Sequence, residues 1–204
     1  MKGLLLKDFY TLSKQMKIFL VMLVIFACMP GMSMAPFAII YSAMLPITAL
    51  AYDERSKWDD LALMMPYSVK SLVISKYLLG YIAVVAATAI SLAAQFVIAL
   101  VQKATVASEN IYIIFVMALI GTVLQALNLP LMFRIGVEKA RILFFLIVAA
   151  VVAVGTIFAD KIGPMLSEIN ADIFVVYGLI ALAALVINII SICLSIVLYK
   201  KKRV

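Results

Sequence analysis

From Ile18 to Tyr52 the chain runs for 35 residues without one charged side chain. A bilayer core takes about 20 apolar residues in a helix, whereas the helices of a soluble core are shorter and keep a polar face. As one helix this run would extend about 52 Å at 1.5 Å per residue, against a hydrocarbon thickness of about 30 Å. Pro30-Gly31 lies near its middle, followed by Ser33 and Pro36, and proline with glycine punctuates helices. The run therefore reads as two short spans, about 18–32 and 35–52, joined by a tight turn.

Four more apolar runs follow, at 72–100, 111–133, 142–159 and 173–198. With 67% hydrophobic residues in 204, the chain carries more apolar side chain than a soluble fold of its size can hide. The expectation is an all-α membrane protein of six spans forming a single transmembrane domain, without repeats or low-complexity segments. The net charge of +7 does not point to nucleic acid. With six spans, Lys2, Lys7, Lys14, Lys17, Arg55, Lys57, Lys70, Lys76, Arg134, Lys139, Arg141 and Lys200 to Arg203 fall on one side, against Lys103 and Lys161 on the other. Five spans would put most of the basic residues outside. Because cytoplasmic segments hold the excess of lysine and arginine, both termini are expected in the cytoplasm. Ser33-Met34-Ala35 faintly resembles a signal-peptide cleavage site, but the charged leader is long and another apolar run follows at once.

The segments between spans carry the information. In "MKGLLLKDFYTLSKQMK", Leu5, Phe9, Leu12 and Met16 share a helical face, with Lys7, Asp8, Lys14 and Gln15 away from it. Residues 1–17 suit a helix lying in the membrane interface, an ordinary basic flank being the plainer reading. Between spans two and three, "YDERSKWDDLALMMPYSVKSLVISKY" holds four of the ten acidic residues and the single tryptophan. Trp58, Leu61, Ala62 and Met65 recur at i, i+3, i+4 and i+7, with Asp59 and Asp60 off that stripe. Pro66 ends this helix at or before Met65, and Ser68 or Ser71 can cap the next. A loop that only reversed the chain could be much shorter. Its acidic groups suit a protein surface better than an anionic lipid surface.

These residues resemble the permease subunits of ABC type-2 exporters, closest to the small bacterial branch that includes the phenol-soluble modulin exporter. The likeness lies in "MKGLLLKDFY" before a span and "DERSKWDDLALMMPYSVKSLVISKYLLG" after the second, with Asp53-Glu54-Arg55, Pro66 and Ser75-Lys76-Tyr77 the most telling. Beyond Gly80 the resemblance is in span number and topology. It implies that about 53–66 is a coupling helix docked on a separate ATPase, through Glu54, Arg55, Trp58, Asp59, Leu61 and Met64. It further implies two permease copies, two ATPase subunits that bind ATP and magnesium, a bacterial plasma membrane, and export of amphipathic peptides, cytolytic ones included. Packing of Trp58 and the Leu/Met stripe on the chain's own helix ends is the plainer alternative.

Other signals narrow the chemistry. There is no G-x-x-x-x-G-K-[ST] loop and no histidine, so neither ATP hydrolysis nor a histidine-zinc site is expected in this chain. No acidic residue lies inside an expected span, as a proton-coupled carrier would need. Cys28 and Cys193 sit in apolar runs and read as buried thiols. Polar residues in the spans include Gln95, Gln125, Asn128 and Asn188, with Thr88, Ser91, Thr122, Ser191 and Ser195. They read as interhelical hydrogen-bonders, or as a weakly polar translocation path. Pro130 implies a kink late in the fourth span. Two alternatives remain in function: export of a lipid, antibiotic or other small hydrophobic compound, and a membrane immunity factor or scaffold that works without an ATPase.

Overall fold

The computed structural model describes residues 2–28, 35–102, 108–143, 145, 146, 149 and 173–202, and every regular element among them is an α-helix. In order these are α1 (Lys2–Cys28), α2 (Ala35–Ser42), α3 (Leu45–Arg55), α4 (Trp58–Met64), α5 (Val69–Gln102) and α6 (Ser108–Ile135). A helix α7 begins at 137 and is described to 143, and α8 spans Ile173–Lys202. The Pro30-Gly31 turn, nearly all of the span expected at 142–159 and the loop after it lie outside the described residues.

Three helices are long and apolar enough to cross a bilayer, over Val69–Val101, Ile111–Ile135 and Gly178–Lys201. They correspond to the runs read at 72–100, 111–133 and 173–198. Two features differ from the sequence expectation. Residues 2–17 do not form a separate helix but continue without a break into the first apolar run as α1. The second run is not one helix. Pro46 lacks the N–H that the Ser42 carbonyl would accept and its ring crowds that turn, so the chain breaks at Ala43-Met44 between α2 and α3.

The start of α1 and of α5 meet the ends of α3, α6 and α8 at one end of the bundle. Leu4, Ala62, Leu72, Val73, Tyr77, Leu129, Phe133 and Tyr199 form a buried cluster there. Lys2, Lys57, Lys70, Arg134, Lys139 and Lys200 are exposed and belong to the same ends, which makes this the basic end. A second cluster, with Ile39, Ala43, Leu45, Val84, Ala87 and Ile114, joins α2 and the start of α3 to α5 and α6 further along.

Inside an apolar bundle polar groups need partners, and the long helices supply several to one another, while Ser91 Oγ, Gln125 Oε1 and Asn128 Oδ1 are buried without one among the described residues. Pro130 inside α6 has no N–H for the carbonyl of Ala126. Ser191 of α8 donates its hydroxyl to that carbonyl. Ser191 and Ser195 also bond the Tyr77 hydroxyl of α5, at 2.5 and 2.8 Å. Gln125 of α6 donates to the Tyr77 carbonyl at 3.0 Å, and Tyr81 donates to Asn188 at 2.8 Å. The bland reading of the span polars as interhelical fasteners thus describes what Gln125, Asn188, Ser191 and Ser195 do here. Cys193, expected to be buried, instead faces outward on α8, because Ser191 and Ser195 take the inward face.

Gly80 has a defined role in this network. A Cβ there would come within 2.3 Å of the Gln125 carboxamide. Gly80→Ala therefore displaces Gln125 and costs about 1–2 kcal/mol through the lost bond and crowding. The same substitution in a Gln125→Ala background costs clearly less, which thermal unfolding of the four proteins in detergent would measure. Additive losses would contradict this contact.

Candidate functional site: a closed ion-pair ring under the short helix

The last turn of α3 ends in Asp53, Glu54 and Arg55. Two carboxylates there face the negative end of the helix dipole, an arrangement that costs a few tenths to about 1 kcal/mol each unless other partners offset it. Both have partners. Asp53 is buried between Lys7 of α1 and Lys76 of α5, at 2.5 and 2.6 Å. Asp8, only 1% exposed, bonds the same two lysines at 2.9 and 2.7 Å. Lys7, Asp8, Lys76 and Asp53 thus close a four-membered ring of alternating charge, in which every neighbour is attractive and the sum is zero.

The sequence reading placed Asp8 on the polar side of an interfacial helix and Asp53 and Lys76 in a cytoplasmic loop. The structure corrects that. The inward face of α1 is Leu4, Asp8 and Leu12, at a spacing of four, with Leu5 packed beside Leu12. Phe9 is 52% exposed, and the side chain of Met16 lies outside those described. A charged residue turning inward is invisible to a hydrophobic stripe. The available signal was Lys76, two turns inside an apolar helix, a buried-side cation that needs acids from elsewhere in the chain.

The ring touches the short helix directly. Lys7 lies over the Trp58 indole, 4.3 Å from its centroid. Such cation–π contact contributes about 0.5–2 kcal/mol, more where water is excluded. Ala62 belongs to the buried cluster at the basic end and Trp58 packs against it, so α4 joins a cluster to which α1, α5, α6 and α8 also contribute. Between α3 and α4 only Ser56 and Lys57 turn the chain, and Lys57 takes a left-handed conformation at φ 50. Met65, extended before Pro66, ends α4, and Ser68 caps α5 by accepting the Ser71 N–H at 3.2 Å.

The residues read as an ATPase contact divide into two groups. Trp58 is turned into the chain, and Glu54 accepts the Val137 N–H at the start of α7, at 2.8 Å. Arg55, Leu61 and Met64 are exposed, Met64 at 85%, and Glu54 is exposed too despite its bond to Val137. The side chain of Asp59 lies outside those described. Among the residues read as a path, Gln125, Asn128 and Asn188 are buried between the long helices, while half-buried Gln95 lies about four turns of α5 beyond Tyr81.

An all-helical bundle whose long members present leucine, isoleucine and valine on their outer faces is a polytopic membrane protein. Residues 3–200 match the family described as ABC-2 family transporter protein, and the chain belongs to that family. It is thereby a membrane permease of the ABC exporter kind, of a family that pairs with ATPase subunits. No curated protein and no solved structure matches the chain.

Breaking the ring on one side strands a buried charge. Lys76→Met alone is expected to cost about 3–5 kcal/mol, because two carboxylates then share one ammonium. Lys76→Met combined with Asp8→Asn restores neutrality and recovers most of that loss. Unfolding midpoints in detergent decide it, and a double variant as unstable as the sum of the singles would rule out the ring.

Proposed function

We propose that the chain is the permease of an ATP-driven exporter in the bacterial plasma membrane, with six spans and both termini in the cytoplasm. Two copies form the translocation path and two ATPase subunits dock below, holding ATP and magnesium themselves. In this reading α4 is the coupling helix. The observation that carries it is the two-sided character of α4, with Trp58 and Ala62 seated on the ring and cluster, and Leu61 and Met64 presented outward. A helix needed only to reverse the chain would have no use for exposed leucine and methionine beside Arg55. A groove on an ATPase surface accounts for them.

Closing of the ATPase pair on ATP would press on α4. The ring would pass that displacement to α1, α3 and α5 together, since Lys7, Asp8, Asp53 and Lys76 belong to those three helices. The ATP-bound partner favours whichever arrangement of the spans fits it better, and the shift is limited to that difference in affinity.

The cargo is an amphipathic peptide in this reading. A groove of about 390 Å³ between α5, α6 and α8 supports it, being lined by Val85, Leu119, Leu185 and Ile189 with Tyr81, Thr122 and Asn188 as its few polar side chains. Apolar wall with sparse hydrogen-bonding side chains suits a ligand that is apolar on one face.

The experiment is co-purification with a candidate ATPase subunit co-expressed with this chain, then ATP hydrolysis in lipid with and without amphipathic helical peptides. Leu61→Asp with Met64→Asp should weaken ATPase association by about tenfold or more, as loss of exposed apolar anchors does. Peptide-stimulated hydrolysis supports the cargo, and stimulation by lipids or small hydrophobic compounds alone replaces it. A wild-type chain that retains no ATPase would leave the scaffold or immunity reading.

A further inference from the structure

We propose that the last turn of α3 is a two-way yoke, in which Asp53 holds α1 and α5 while Glu54 holds the start of α7, making Glu54 a positioning residue that carries α4 displacement to α7. The inference rests on the coupling reading of α4 and adds a second output from it.

Three observations meet here. Asp53 and Glu54 are adjacent, and neighbouring residues on a helix point about 100° apart, so one turn can grip two different elements. Asp53 is committed to the ring. The Glu54 carboxylate accepts the backbone N–H of Val137, 83 residues away, at 2.8 Å.

Residue 136 is built around that carboxylate. Gly136 has φ +85, a conformation that side-chain-bearing residues rarely adopt. Its carbonyl accepts the Ala140 N–H at 3.1 Å, which makes Gly136 the residue that opens α7. A Cβ at this position would stand 2.7 Å from Glu54 Oε1. The backbone conformation favours glycine here, and a Cβ would have to push the Glu54 carboxylate aside. An unpaired first-turn N–H is a costly vacancy, and a carboxylate is its strongest neutralising partner. The contact joins the segment before α4 to the segment after α6.

The geometry also separates Glu54 from its neighbours in role. Arg55, one residue on, is exposed beside α4 and available to a partner protein. Glu54 spends its acceptor within the chain. Glu54 is exposed as well, but one of its carboxylate oxygens is held by Val137, so a substitution there should uncouple α7 in complexes that still carry ATPase.

The test is amide hydrogen exchange by mass spectrometry on the full chain in lipid nanodiscs, first alone. Glu54→Ala is expected to speed exchange of the amides at 137–140 by about five- to tenfold, the effect of losing a helix cap. Glu54→Gln, which keeps an acceptor oxygen without charge, should fall between. Gly136→Ala should reproduce the loss, and the double variant should be no worse than the more severe single. Each variant's folding is checked by its thermal transition. The complex with ATPase is then compared with and without a non-hydrolysable ATP analogue. Wild type should show nucleotide-dependent exchange at both α4 and the start of α7, whereas Glu54→Ala should keep the first and lose the second. Unchanged exchange at 137–140 in Glu54→Ala, or a retained nucleotide response there, overturns the yoke. Failure of the wild-type chain to bind ATPase overturns instead the coupling reading beneath it.

Discussion

Everything at the basic end of this bundle depends on a closed ring of two lysines and two aspartates. Taking four charges out of water is expensive, and buried pairs seldom contribute much net stability. What such a ring does supply is geometry. Each lysine must reach two carboxylates, so α1, α3 and α5 can meet in one register only. Trp58 then lies on Lys7, which fixes where α4 sits. A short helix of seven residues has little stability of its own, and its position is set by this seat.

The long helices are joined by a different device. In an apolar medium association has little hydrophobic driving force, so close packing and hydrogen bonds do the work. The carbonyl that Pro130 leaves free is taken up by Ser191, and the Tyr77 hydroxyl lies between Ser191 and Ser195. Gly80 gives Gln125 the room to reach the Tyr77 backbone. Tyr77 sits in the helical position after Lys76. One turn of α5 thus faces the ionic ring on one side and the α6–α8 fastening on the other, which links the site at the basic end to the body of the spans.

Much of this was legible in the residues. The lengths of α5, α6 and α8 followed from apolar run length. Pro66 marked the end of α4, and Ser68 or Ser71 the start of α5, of which Ser68 is the cap. The break at Ala43-Met44 was not legible, because no charge or glycine marks it and Pro46 alone distinguishes a helix start from a kink within a continuous span. The ring was missed because helical periodicity ranks Asp8 and Lys76 by polarity alone. A charged side chain that points inward is indistinguishable from one that points outward until its partners, here 46 and 68 residues away, are placed beside it. The acids at the end of α3 were the clue, since a helix C-terminus disfavours them unless something else holds them.

The central claim is that the ring transmits displacement of α4 into α5. It is tested most directly by placing one spin label at Leu100, exposed toward the far end of α5, with Cys28 and Cys193 replaced. Distances between the labels of the two permease copies in the proposed assembly are then measured in the lipid-reconstituted ATPase complex, with and without ATP. The account predicts a nucleotide-dependent change of distance in the parent protein. It predicts that the change is lost in the charge-neutral Lys76→Met, Asp8→Asn variant while ATPase remains bound. The same change in both proteins would contradict it.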